Sequence, residues 1–215
     1  MLSEKYLIDV DLTLSCGQVF RWEKLGDWWY GVAGEKVFKV RQNEEKIEYT
    51  NVDFEFIEQF FGLNQDLEKI LISIKKDPHI NEVIRQQRGL RLIRQDPWEC
   101  LISYICATCK SIPAIKHMLN NMAKKFGKTI SLDGQNFYTF PKPEQLNLAS
   151  EQDLITCGLG YRAKYLLTTT QTICKNSLDL DELKKMSYPK AKKQLMEFSG
   201  VGAKVADCVC LFSLE

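Results

Sequence analysis

The stretch Glu197-Phe198-Ser199-Gly200-Val201-Gly202-Ala203-Lys204-Val205-Ala206-Asp207-Cys208 decides how the chain is read. A helical run from Ala191 to Phe198 stops at Gly200-Val201-Gly202, and a second apolar run, Val205 to Leu214, follows at once. Glycine lacks a Cβ and tolerates positive φ, so two glycines between two helices predict a tight hairpin that an external group can approach closely. The N–H groups opening the second helix have no intrahelical partner, and the helix dipole there favours negative charge. Lys204 falls in the first turn of that helix, where a cation opposes the dipole and the neutral amine is favoured. Such an amine suits nucleophilic chemistry. These residues alone leave two readings open. One is a glycine-capped αα-hairpin with a surface lysine; the other is a helix-hairpin-helix that holds a DNA phosphate and offers Lys204 to a sugar carbon.

The remaining composition narrows the class. With 215 residues, 45% hydrophobic and 27% charged, the chain can bury a sizeable core. Its formal net charge of +1 does not by itself argue for nucleic acid. Basic residues do outnumber acidic ones over 75–95, and 115–131 holds lysines and no acid. A solvated helix face explains either segment as well as a DNA path does. No apolar run reaches the ~20 residues of a membrane span. Met1-Leu2-Ser3-Glu4-Lys5 lacks the charged-then-apolar order of a signal peptide. A monomer without membrane association is expected, in a prokaryotic cytoplasm and nucleoid or a eukaryotic nucleus. The 8 cysteines are expected to be reduced. Cys106-x-x-Cys109 has no second close pair, Cys208 and Cys210 face different ways on a helix, and no cofactor is expected.

Along the chain, residues 1–51 read as an antiparallel β domain. Strands are expected over Tyr6–Leu14, Val19–Glu23, Trp28–Val32, Lys36–Val40 and Lys46–Tyr49. From residue 52 to 215 the pattern is helical, with the helix-hairpin-helix at about 189–214. Asp96-Pro97-Trp98 is a helix start, and the run behind it is apolar nearly all round, which marks a central buried helix. Asp133-Gly134 predicts a small hairpin. Strands segregated from helices predict an α+β fold. Gly158-Leu159-Gly160-Tyr161-Arg162 is a second glycine-thinned turn beside an aromatic and a basic residue.

Four separated segments share one family's order and spacing: Ser15–Trp22, Leu92–Leu101, Gly158–Tyr165 and Gly200–Cys208. Together they cover nearly the whole chain, which resembles the 8-oxoguanine DNA glycosylases of the helix-hairpin-helix-GPD superfamily. The resemblance implies a base-excision enzyme acting on double-stranded DNA that contains oxidised guanine. It would flip the base out, attack the sugar through Lys204 and cleave the strand from the resulting Schiff base. It implies that Gly17 offers a backbone carbonyl to the N7–H of the oxidised base, and that Cys208 and Phe212 line the base pocket. Tyr161 and Arg162 would wedge into the gap and contact the orphaned cytosine. Gly200 and Gly202 would meet a phosphate, and backbone carbonyls of Met196, Phe198 and Val201 would hold a structural cation.

Two departures follow from the same comparison. Where the family commonly has an Asn-Asn pair at the DNA, this chain has Cys109 and Lys110, and a thiol lacks an amide's paired donor and acceptor. The family's aspartate beside the reacting sugar aligns beyond Glu215, so the resemblance implies a C-terminally shortened member. Asp207 is expected to be structural. The alternatives are a DNA-binding helix-hairpin-helix module without chemistry, or a glycosylase for another lesion.

Overall fold

The computed structural model describes residues 6–44 and 46–214. Met1–Lys5, where the sequence lacks a signal-peptide pattern, lie outside the described residues. The fold is α+β, with an antiparallel four-stranded sheet near the start and helices after it. Strands β1 (Trp22–Leu25), β2 (Trp28–Ala33), β3 (Lys36–Asn43) and β4 (Lys46–Thr50) pair in that order. Strands β5 (Thr129–Leu132) and β6 (Gln135–Tyr138) form the separate hairpin that Asp133-Gly134 predicts. Among the described residues, no helix is long and apolar enough to cross a membrane.

The expected strand over Tyr6–Leu14 is instead helix α1 (Val10–Ser15). Val10, Leu12 and Leu14 alternate like a strand, but the buried set is Val10, Thr13 and Leu14, which is helical spacing. The Asp9 carboxylate caps the helix by accepting from the Leu12 N–H at 2.8 Å. The next expected strand starts later, at Trp22, because Val19 and Phe20 are buried in the preceding turn.

The chain packs as two compact units, residues 1–31 with 38–94 and residues 32–37 with 95–215. The division therefore falls after Arg94, whereas the change from strand to helix after Asn51 marked the expected boundary. The reason is aromatic packing. Helix α2 (Phe54–Phe60) sets Phe60 against Trp22 and Phe38, each 5.5 Å between centroids, so the first helices share the sheet's core. Helices α3 (Leu67–Ile74) and α4 (Pro78–Gln86) complete this unit. The Gln18 amide joins its segments. Nε2 donates to the carbonyls of Thr13 and Arg91 at 2.9 and 2.8 Å, and Oε1 accepts from the Ile93 N–H at 2.8 Å.

In the second unit, helix α5 (Pro97–Ala107) is the buried centre, capped by Asp96 as expected. Against it pack α6 (Ile112–Phe126), α9 (Arg162–Asn176) and α11 (Ala203–Ser213). The short helices α7 (Pro143–Leu146) and α8 (Glu151–Thr156) lead into α9, and a 3-10 helix (Leu180–Lys185) leads to α10 (Tyr188–Leu195). Gln18→Leu leaves buried backbone groups without partners, each worth about 1–3 kcal/mol. Urea melts are expected to show a loss of about 2–4 kcal/mol; an unchanged midpoint would remove Gln18 from this role.

Candidate functional site

Helices α10 and α11 are joined by residues 196–202. Gly200 sits at φ +81°, and a Cβ there would lie 2.9 Å from the Cβ of Tyr165. Backbone conformation and the close approach of α9 both require glycine. One turn along α9 the Thr169 hydroxyl donates to the Ser199 carbonyl at 3.0 Å. Val201 donates to the Phe198 carbonyl at 3.2 Å, and both side chains are buried. Gly202, the N-cap of α11, has ordinary extended backbone and open space on its Cβ side. No side chain caps α11, which leaves the N–H groups of its first turn without the partner a cap would supply.

Lys204 stands exposed in that first turn and, among the described residues, makes no hydrogen bond or ion pair. Cys208 follows one turn later and is half-buried; burial pushes its thiol pKa up, and the charge of Lys204 opposes this. One further turn on, the Phe212 ring stacks on Tyr104 of α5, 5.7 Å between centroids and 8° from parallel. Lys204, Cys208 and Phe212 thus share one side of α11. Asp207 is turned to α10. Its carboxylate meets Lys192 at 2.7 Å and accepts from the Tyr188 hydroxyl at 2.7 Å, and these hold it below the usual carboxylate range.

A second cluster forms at the turn before α9. Gly158 and Gly160 both take positive φ, at +95° and +55°. Tyr161 is exposed, but Arg162 is buried, with its guanidinium 4.4 Å from the Tyr161 ring centroid. An Arg162 Nη2 donates to the carbonyl of Thr108, the residue that closes α5. Arg162 Nε is buried with no hydrogen-bond partner among the described residues. Exposed Cys109, at φ +53°, and Lys110 continue from Thr108. The predicted pairs Cys109–Lys110 and Tyr161–Arg162 are therefore brought together. Cys106 is fully buried and its thiol is pushed up to about 12 by burial, so the Cys-x-x-Cys pair is divided between core and surface. Gly17, at φ +92°, belongs to the first unit and precedes buried Gln18.

Sequence reasoning missed Thr108, Tyr165, Thr169, Lys192 and Tyr188. Their roles are tertiary, and only the i,i+4 spacing of Tyr165 with Thr169, and of Tyr188 with Lys192, hinted at shared faces.

Residues 1–101 match the family model for the 8-oxoguanine DNA glycosylase N-terminal domain. The crystal structure of the Clostridium acetobutylicum 8-oxoguanine glycosylase/lyase in its apo-form is 34% identical, with a TM-score of 0.92 over 96% of this chain and 74% of that one. The chain belongs to the 8-oxoguanine DNA glycosylase family. The Arabidopsis thaliana N-glycosylase/DNA lyase OGG1 is 31% identical, matching 97% of this chain and 61% of the relative. The Saccharomyces cerevisiae N-glycosylase/DNA lyase is also 31% identical, over 94% and 62%. This family member thus spans about three fifths of the length of those curated relatives.

The two hairpin glycines of this glycosylase-family chain should separate in a stability measurement. Gly200→Ala, forced against Tyr165, is expected to lose about 1–3 kcal/mol. Gly202→Ala should stay within about 0.5 kcal/mol of the parent. Equal urea midpoints for the two variants would contradict this geometry.

Proposed function

We propose that the chain is a base-excision DNA glycosylase and lyase that removes 8-oxoguanine from duplex DNA through a Schiff base at Lys204. The single observation that carries the reading is an exposed, unpaired lysine in the first turn of an uncapped helix, one turn from Cys208 and two from Phe212. The helix N-terminus and the open Cβ side of Gly202 suit a DNA phosphate. The damaged nucleotide leaves the stack and enters beside α11. The neutral Lys204 amine attacks C1′, the N–C1′ bond to lysine forms, and the glycosidic bond breaks as the base departs with a proton. Ring opening yields the Schiff base, which acidifies the C2′ hydrogen, so β-elimination expels the 3′ phosphate.

Cys208 and Phe212 line the base. Tyr161 fills the gap in the stack. Arg162, with Lys110 and Cys109 beside it, faces the orphaned cytosine. The carbonyls of Met196, Phe198 and Val201 would hold a cation that offsets phosphate charge. The Phe198 carbonyl already accepts from Val201 and keeps a second lone pair for it.

One observation favours a DNA-binding module without chemistry: the carboxylate nearest Lys204 in α11, Asp207, is occupied by Lys192 and Tyr188. Borohydride trapping on a duplex with 8-oxoguanine opposite cytosine separates the readings. The parent is expected to form a covalent adduct, and Lys204→Gln to lose it by at least about a thousandfold while still binding the duplex. Binding without any adduct from the parent would support the module. Adducts only with other lesions would reassign the substrate.

A further inference from the structure

We infer that Lys192 and Tyr188 are positioning residues that hold the Asp207 carboxylate away from Lys204 and so keep the Lys204 amine unpaired. The inference rests on the reading of Lys204 as nucleophile, and it concerns residues outside that chemistry.

Asp207 follows Lys204 by three residues on α11, a spacing at which oppositely charged side chains on a helix can meet. Pairs at this spacing, with the acid preceding the lysine, close elsewhere in this protein, with Asp66–Lys69 at 3.1 Å at a helix N-cap and Asp181–Lys184 at 2.5 Å and Glu182–Lys185 at 2.6 Å in the 3-10 helix. Lys204 and Asp207 do not pair. Both carboxylate oxygens are already taken. Oδ1 lies 2.7 Å from Lys192 Nζ and 2.7 Å from the Tyr188 hydroxyl, and Oδ2 accepts from Lys192 at 2.9 Å. Lys192 also donates to the Tyr188 hydroxyl at 3.3 Å and lies 5.6 Å from its ring centroid, which closes the cluster. Tyr188 and Lys192 are one turn apart on α10, so one helix supplies both groups.

Packing does not demand this arrangement. Ala191, Leu195, Ala206 and Val209 are buried on the two helices, and an ion pair this exposed contributes little to stability. A nucleophilic lysine has a specific reason for it. A free carboxylate three residues away would favour the ammonium form and draw the side chain toward itself, both against attack. With Lys192 in place the carboxylate is neutralised where it stands.

The test measures Lys204 in two ways. One is labelling of its amine by reductive methylation with formaldehyde, read by peptide mass spectrometry without DNA. The other is single-turnover borohydride trapping at saturating 8-oxoguanine duplex, with duplex affinity measured separately. Lys192→Met is expected to slow both by about tenfold. Lys192→Met combined with Asp207→Asn should return both to within about threefold of the parent. Tyr188→Phe, which removes only a hydroxyl, should give a smaller drop of the same sign, and thermal melts confirm that each variant is folded. Unchanged labelling in Lys192→Met, or a double variant as slow as the single, would overturn the inference. If the parent forms no adduct but labelling follows the expected order, the pairing stands and the proposed chemistry falls.

Discussion

Contact between the backbone at Gly200 and the side chain of Tyr165 sets the geometry of the helical unit's site. With no side chain at residue 200 and φ at +81°, the chain turns against α9 and leaves directly into α11. The Thr169 hydroxyl fixes the same turn through the Ser199 carbonyl. The start of α11 is then held by a rigid neighbour while its own N-terminus remains uncapped. An exposed amine and an anion-receptive helix end come from one constraint, the absence of a single Cβ.

Helix α5 ties this hairpin to the second cluster. Its buried body carries Tyr104, on which Phe212 stacks, and its closing carbonyl at Thr108 accepts from Arg162. Among the described residues the buried Arg162 Nε has no hydrogen-bond partner, which makes this guanidinium costly to bury. The lysine side and the arginine side of the unit are thus both positioned by the last turn of one apolar helix, at Tyr104 and Thr108.

Much of this was readable from residues in order. The α+β class, the hairpin glycines, the cap at Asp96 and the central apolar helix all follow from local chemistry. The exceptions are instructive. Val10-Asp11-Leu12-Thr13-Leu14 alternates like a strand, yet an aspartate cap and burial of Thr13 made it a helix. The change of pattern after Asn51 looked like a domain boundary, yet Phe60 packs on Trp22 and Phe38 and keeps α2 with the sheet. Cys106 and Cys109 look like half a metal site, yet one is core and the other surface. In each case burial in the folded chain outweighed a local pattern, helped in α1 by the Asp9 cap.

For the site, the sequence alone determined which residue types stand near the hairpin: a lysine in a helix's first turn, a cysteine one turn on, a phenylalanine two turns on. Helical periodicity suffices for that, because neighbours on one helix are fixed by 3.6 residues per turn. Only the tertiary structure decided that Lys204 is unpaired, that Asp207 belongs to Lys192 and Tyr188, and that Arg162 reaches Thr108. Those facts depend on which helices meet and at what register. That is settled by burial and close packing among residues far apart in the chain, and no local spacing encodes it.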